Sequence, residues 1–371
     1  MTLSYDPNLS SYLDESSVRL EMARAFQVCA GCRRCIDVCP SFGDLFKALD
    51  MVGNEADRMT PHLQDQIAAS CFDCGTCLQG CPHAPGLKSP VGQNLGVDIP
   101  SLMIRHRAMA KESGLQGFRR RLRDELSVRR ATVRRFARRV PRRSGDEPSC
   151  FREWFLGRPR VRSVKAQAHV TFSASCALEV DELRIGADAV KIFEHNGVVC
   201  ALLDDSTRCG CELLRIGDIG GYTRVASRHV RAMAKANEMG SDIVVMSPRC
   251  LETMRTRYPQ FVGGPETERV VANMQGPAEF LMLLRDRQLM DLQFVGEHPE
   301  TVEYCASCPT RNTGEAVASE ALMRLVGISV TRRDECCGGQ GCRDGVTEGA
   351  TITGGVHPLG LLARAYGLAT D

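Results

Sequence analysis

Two runs of four cysteines, each closed by a proline, constrain this chain more than any other feature. The first is Cys29-x2-Cys32-x2-Cys35-x3-Cys39-Pro40, and the second is Cys71-x2-Cys74-x2-Cys77-x3-Cys81-Pro82. Two-residue spacers bring three thiols onto one tight turn. The fourth thiol is displaced by three residues, and the proline behind it ends the local helix and removes a backbone donor. The fold of the first hundred residues must therefore be built round whatever these thiols hold.

The chain has 19 cysteines in 371 residues. Its first twenty residues are polar and acidic, without the apolar core of a secretory leader. No stretch approaches the length of apolar sequence that a membrane span needs. A cytoplasmic location is expected, and there cysteines serve as metal or redox ligands rather than as a disulfide framework. The spacing of both runs is that of the bacterial ferredoxins, in which the fourth cysteine of each run serves the other cluster. The expected ligand sets are Cys29, Cys32, Cys35 and Cys81 for one [4Fe–4S] cluster, and Cys71, Cys74, Cys77 and Cys39 for a second. Structural zinc calls for paired Cys-x2-Cys units rather than triples followed by a fourth cysteine and proline. A zinc-bound interaction protein is the competing reading from another class.

The fold class expected is α+β and multidomain, with boundaries at 1–99, 100–165 and 166–371. Helical patterns run from Ser17 to Val28, Phe42 to Val52 and Pro61 to Ala69. Beyond residue 165, short apolar runs alternate with helical periodicity. Strands are predicted at His169–Ser173, Val198–Leu203, Ile243–Met246 and Thr301–Tyr304. Helices are predicted at Glu182–Asn196, Tyr222–Met239, Pro277–Leu289 and Ser319–Val326. Strands separated by helices favour a parallel sheet, and the scheme begins near His169 and again near Thr301, as a degenerate repeat.

The first hundred residues resemble the α-helical ferredoxin module of succinate dehydrogenase and fumarate reductase iron–sulfur subunits. The C-terminal half resembles the duplicated CCG domain of heterodisulfide reductase, of anaerobic glycerol-3-phosphate dehydrogenase and of glycolate and lactate oxidase iron–sulfur subunits. In that family each domain supplies a lone Cys, then Cys-Cys-Gly, then Cys-x2-Cys. Here Cys176, Cys209-Gly210 and Cys250 match in the first repeat, with Arg208 and Ser247 at two cysteine positions and Cys211 as an extra thiol. In the second repeat Cys308, preceded by Cys305, and Cys336-Cys337-Gly338-Gly339 match. Thr353 to His357 stands where the last Cys-x2-Cys belongs. The resemblance implies a further cluster on Cys176, Cys209, Cys211 and Cys250, or on Cys305 or Cys308 with Cys336, Cys337 and Cys342. Against that stands the reading that these are buried thiols, which pack like small apolar residues; it is preferred for Cys150 and Cys200.

Net charge is only +2, yet Ser101 to Lys165 holds 20 Lys/Arg against 6 Asp/Glu, and the remainder is correspondingly acidic. Twelve arginines fall between Arg119 and Arg143, with Leu122, Leu126, Val133, Phe136 and Val140 at helical spacing. Such a helix suits docking to an acidic partner, or lying peripherally on anionic lipid; nucleic acid is not expected. Gly338-Gly339-x-Gly341 reads as backbone room at a metal site. No dinucleotide fingerprint precedes a helix. The function expected is an iron–sulfur electron-transfer subunit of an oxidoreductase complex, relaying electrons from a flavoprotein dehydrogenase to a quinone or other acceptor. The alternative is a heterodisulfide reductase-like catalyst acting on a disulfide or sulfur substrate. No catalytic residue is assigned.

Overall fold

The structure, a computed structural model, describes residues 5–87, 95–114, 150–159, 166–174, 183–203, 208–333, 345–347 and 356–368. The Arg119–Arg143 segment, Cys176, Cys336, Cys337 and Cys342 lie outside them. The described residues form two compact units. One comprises those of Met1–Val128 together with Gly210–Arg224; the other comprises those of Arg129–Cys209, Val225–Asp334 and Arg343–Asp371.

The first unit is helical. Its main helices are Glu15–Cys32, Pro40–Met51, Pro61–Ser70 and Ile99–Glu112. Their starts are written in the sequence. Asp14 accepts from the Ser17 amide at 2.7 Å and Asp98 from the Ser101 amide at 2.9 Å. Pro40, Pro61 and Pro100 sit in first turns, where a missing N–H costs nothing. Val18, Met22, Phe26, Phe42, Leu45, Phe46, Leu49, Leu102 and Met103 form the core, and Cys29, Cys35, Cys39, Cys71, Cys77 and Cys81 pack against it. The segment Gly210–Arg224 closes on the last of these helices. Gly217 has φ +73°, and a Cβ there would lie 2.3 Å from the Arg107 carbonyl oxygen. Asp218 beside it pairs with Lys111 at 2.9 Å.

The second unit is α/β, as predicted. Its first sheet has the order β2-β1-β3-β4, with β1 at Ala168–Ser173, β2 at Val198–Leu202, β3 at Asp242–Val245 and β4 at Met274–Gln275. All its pairings are parallel, with Val170 opposite both Cys200 and Asp242. The predicted helices appear as Leu183–His195, Ile219–Glu238, Pro277–Asp286 and Glu315–Val326. Glu238 and Asp286 end earlier than the periodicity suggested, while Ile219 and Glu315 begin earlier. A second sheet, order β6-β5-β7, holds β5 at Thr301–Cys305, β6 at Ser329–Arg333 and β7 at Gly345–Thr347. β5 pairs β6 in parallel and β7 in antiparallel fashion. Phe155, Phe172, Phe193 and Phe280 pack in series, the first pair edge to face and the others tilted, with centroids 6.5, 5.4 and 5.2 Å apart, through a core that also takes in Tyr304 and Leu322.

Candidate metal centre

The first cysteine run begins inside a helix. Cys29 and Cys32 occupy the end of Glu15–Cys32, and Arg33 stops the helix in the left-handed region at φ 52°, donating its amide to the Cys29 carbonyl at 2.9 Å. Turns then carry the chain past Cys35 to Cys39, whose amide bonds the Cys35 carbonyl at 3.2 Å, and Pro40 opens the next helix. The second run begins where Pro61–Ser70 ends, at Cys71. The Asp73 amide donates to the Cys71 sulfur at 3.4 Å. Gly75, at φ 71°, then starts the short helix Thr76–Gln79 that carries Cys77. A residue with a Cβ would be strained in that conformation.

Two cavities open between these turns. One is lined by Cys29, Cys32, Cys35, Cys77 and Cys81, with Phe42, Phe46, Val97 and Ile99. The other is lined by Cys39, Cys71, Cys74 and Cys77, with Phe26, Leu45, Ile67 and Met103. The first receives Cys29, Cys32 and Cys35 from one run and Cys77 and Cys81 from the other; the second receives Cys71, Cys74 and Cys77 from one run and Cys39 from the other. Cys77, Phe42 and Ile99 line both. Residues far apart in sequence thus line common cavities.

The electrostatics of these thiols are unfavourable for unligated thiolates. Burial pushes the Cys29 thiol up, and the charges of Cys35, Cys81 and Cys32 add to it. Burial likewise raises Cys35, to about 11, with Cys81 and Cys32 next. Cys77 is raised well above a free thiol by burial, then by Cys71, Cys35 and Cys39. Burial also raises Cys71 and Cys81. Like charges crowded into an apolar site cannot all ionise unless cations join them, and bound metal inverts that balance.

The donor set also fits a sulfur-rich guest. Thr76 Oγ1, His83 Nδ1 and Arg107 Nη1 are buried without a hydrogen-bond partner. His83 lines the first cavity. Thr76 stands beside Cys77. Arg107, 4% exposed, donates to the Cys71 carbonyl at 2.5 Å. Such orphans are costly unless a bound group accepts from them. Sequence reasoning passed over all three, because nothing in their spacing marks a polar side chain as buried. Among the described residues no three His, Cys, Asp or Glu side chains converge on a single metal ion. A cubane places each thiolate on a different iron and does not need that convergence.

Comparison with known proteins agrees with the N-terminal geometry. Residues 21–90 match the family model of the 4Fe-4S dicluster domain. No curated protein and no solved structure matches the chain. The protein is an iron–sulfur protein with a ferredoxin-type N-terminal domain.

The other cysteines are less gathered. Cys209 and Cys250 are buried with their sulfurs 3.2 Å apart. Cys211, two residues on, opens the helix Cys211–Arg215. Cys305 ends β5 and is exposed, while Cys308 is buried and accepts from Arg311 at 3.1 Å. Cys200 lies in β2, where burial pushes its thiol up. Cys150 precedes the helix Phe151–Gly157. His357 caps the helix Pro358–Ala365 by accepting from the Leu359 amide at 3.2 Å, which gives that lone histidine a structural task.

Proposed function

We propose that the N-terminal unit holds two [4Fe–4S] clusters and that the protein relays single electrons between other redox partners. The observation that carries this reading is that both cavities take thiols from both runs, Cys81 joining Cys29, Cys32 and Cys35 in one and Cys39 joining Cys71, Cys74 and Cys77 in the other, with Cys77, Phe42 and Ile99 lining both. Cys29, Cys32, Cys35 and Cys81 would hold one cluster, and Cys39, Cys71, Cys74 and Cys77 the other. A cluster of this type supplies one-electron chemistry when bound. The chain would hold it and would exclude water with Phe26, Phe42, Phe46, Leu45 and Ile99, and His83 on the wall of the first cavity would be a hydrogen-bond donor to it. Two clusters sharing the wall of Cys77, Phe42 and Ile99 would be close neighbours, the arrangement an electron relay needs.

Eight thiols arranged in this way perform no substrate chemistry themselves, so donor and acceptor are separate molecules. The resemblance to CCG-type subunits supports a flavoprotein dehydrogenase as donor and a quinone as acceptor, with the Arg119–Arg143 segment as the docking element. A further cluster in the C-terminal half would draw on Cys308, Cys336, Cys337 and Cys342. The deciding experiment is iron and acid-labile sulfide counting with EPR on anaerobically purified protein. The expected result is at least about eight irons per chain, with two ferredoxin-type signals. Fewer than four irons after reconstitution, with stoichiometric zinc, would sink the proposal in favour of a zinc-bound protein. Cys337→Ser tests the second repeat: loss of about four irons with the N-terminal signals unchanged is the result expected of a third cluster.

A further inference from the structure

The parallel sheet of the second unit turns about β1. From β1 the chain crosses to β2 on one side, and after β2 it returns to β3 on the other. In an open parallel sheet, ligands bind in the crevice outside the carboxyl ends of the strands at such a point. β1 ends at Ser173 and β3 at Val245. Cys250 lies in the first turn of the helix Pro248–Phe261 that follows β3, and Cys209 lies in the stretch that follows β2.

Their sulfurs stand 3.2 Å apart, across 41 residues of sequence. That is closer than thiolates bound to separate irons of one cubane, which the cluster between them holds apart. A buried polar chain fixes one member of the pair. The Tyr258 hydroxyl donates to the Cys209 carbonyl at 3.4 Å. His229 Nδ1 lies 2.7 Å from that hydroxyl, and its Nε2 lies 3.2 Å from Ser173 Oγ at the end of β1. With the tyrosine proton on Cys209, Nδ1–H donates to Tyr258 and Nε2 accepts from Ser173. The carboxyl end of β1, the helix Ile219–Glu238 and the Cys209 backbone are thereby tied together, and Tyr258 shares its helix with Cys250.

We infer that Cys209 and Cys250 form a reversible dithiol–disulfide centre at this switch point, exchanging with a low-molecular-weight disulfide. In the oxidising direction one cysteine thiolate attacks a sulfur of the disulfide RSSR. A protein–S–S–R bond forms, and RS⁻ leaves to become RSH. The second cysteine attacks the protein sulfur of that bond, the Cys209–Cys250 disulfide forms, and a second RSH leaves. Protein dithiol and RSSR become protein disulfide and two RSH, and the reverse returns the dithiol. The two residues are 7% and 9% exposed, so the exchanging disulfide must be small and slender. This centre goes beyond the electron relay and stands on the α/β unit alone.

The test uses anaerobic full-length protein treated with oxidised glutathione, alkylated and mapped by mass spectrometry. The expected result is a cross-linked peptide pair joining Cys209 to Cys250, with two alkylatable thiols lost, restored by dithiothreitol, and iron content unchanged. Cys250→Ser should replace the cross-link by a single glutathione adduct on Cys209. Both cysteines remaining alkylatable in the wild type overturns the inference, and that arm needs no variant to fold. So does loss of iron from folded Cys209→Ser or Cys250→Ser protein, which would make the pair cluster ligands. Neither outcome touches the iron count of the N-terminal unit, so the two proposals fail separately.

Discussion

Arg107 illustrates how one side chain can separate two otherwise similar sites. Arg24 acts on the Cys29 sulfur, but its charge is offset by Glu21 at 2.8 Å. Arg107 acts on the Cys71 sulfur, and its hydrogen-bond partners are the Cys71 and Ala68 carbonyls. A buried positive charge without a carboxylate favours the reduced, more negative cluster. If Cys39, Cys71, Cys74 and Cys77 hold the second proposed cluster, Arg107→Met should lower its potential by roughly 60 mV or more, the one-electron equivalent of a tenfold change. Arg107→Lys should restore most of it, and the other cluster should not move; an EPR-monitored redox titration reads both. Gly217 is a second single-residue lever. Its positive φ and the close Arg107 carbonyl leave no room for a methyl group. Gly217→Ala should cost at least ~1–3 kcal/mol, seen as a fall of several degrees in the melting temperature of the helical unit.

Among the elements, the helix Ile219–Glu238 carries a titratable group into the core. His229 is 1% exposed, and burial lowers its pKa from 6.5 to about 4. The native state thus resists a proton that the unfolded chain accepts near pH 6.5. The stabilisation is complete above pH 6.5 and is lost as the pH falls towards 4, by about 3 kcal/mol at the limit. The urea midpoint of His229→Gln protein should fall less between pH 7 and pH 4.5 than that of the wild type. Equal slopes would mean that the ring is protonated in the native state. The neighbouring helices show where sequence patterns fail. Pro248–Phe261 contains Pro259, and Val262-Gly263 separates it from Gly264–Ala272, which opens on Gly264-Pro265. Pro259 falls in the last turn and lacks the amide that would bond the Arg255 carbonyl. Burial of Leu251, Met254 and Tyr258 outweighs the local preference.

At the scale of the whole molecule, charge is the feature to test. No described helix is long and apolar enough to cross a membrane, so any attachment to a bilayer through a helix of the described residues would be peripheral. The arginines between Arg119 and Arg143 lie outside the described residues, and their role is a proposal from sequence. Replacing Arg134, Arg135, Arg138 and Arg139 with Gln should weaken binding to anionic vesicles or to an acidic redox partner, most visibly at low salt, while iron content stays normal. Binding that ignores both the substitutions and the salt concentration would remove electrostatics from the account.

The cysteine runs by themselves determined the chemistry of the first hundred residues, because iron ligation demands thiols at fixed spacing and tolerates few substitutes. Periodicity determined the helices before Cys71 and the β1, β2, β3 and β5 strands, because apolar residues must fall on one face to be buried. Tertiary structure decided the rest. It buried Thr76, His83 and Arg107 near the cysteine runs, whose crossed ligand sets the ferredoxin spacing had already suggested. It also carried Gly210–Arg224, which in sequence belongs to the α/β half, onto the helix Ile99–Glu112 of the first unit. It placed Cys209 against Cys250, where the family pattern had suggested only ligands with missing companions. Contacts of this kind depend on which surfaces meet after the chain has folded back through forty or more residues, and no local spacing encodes that.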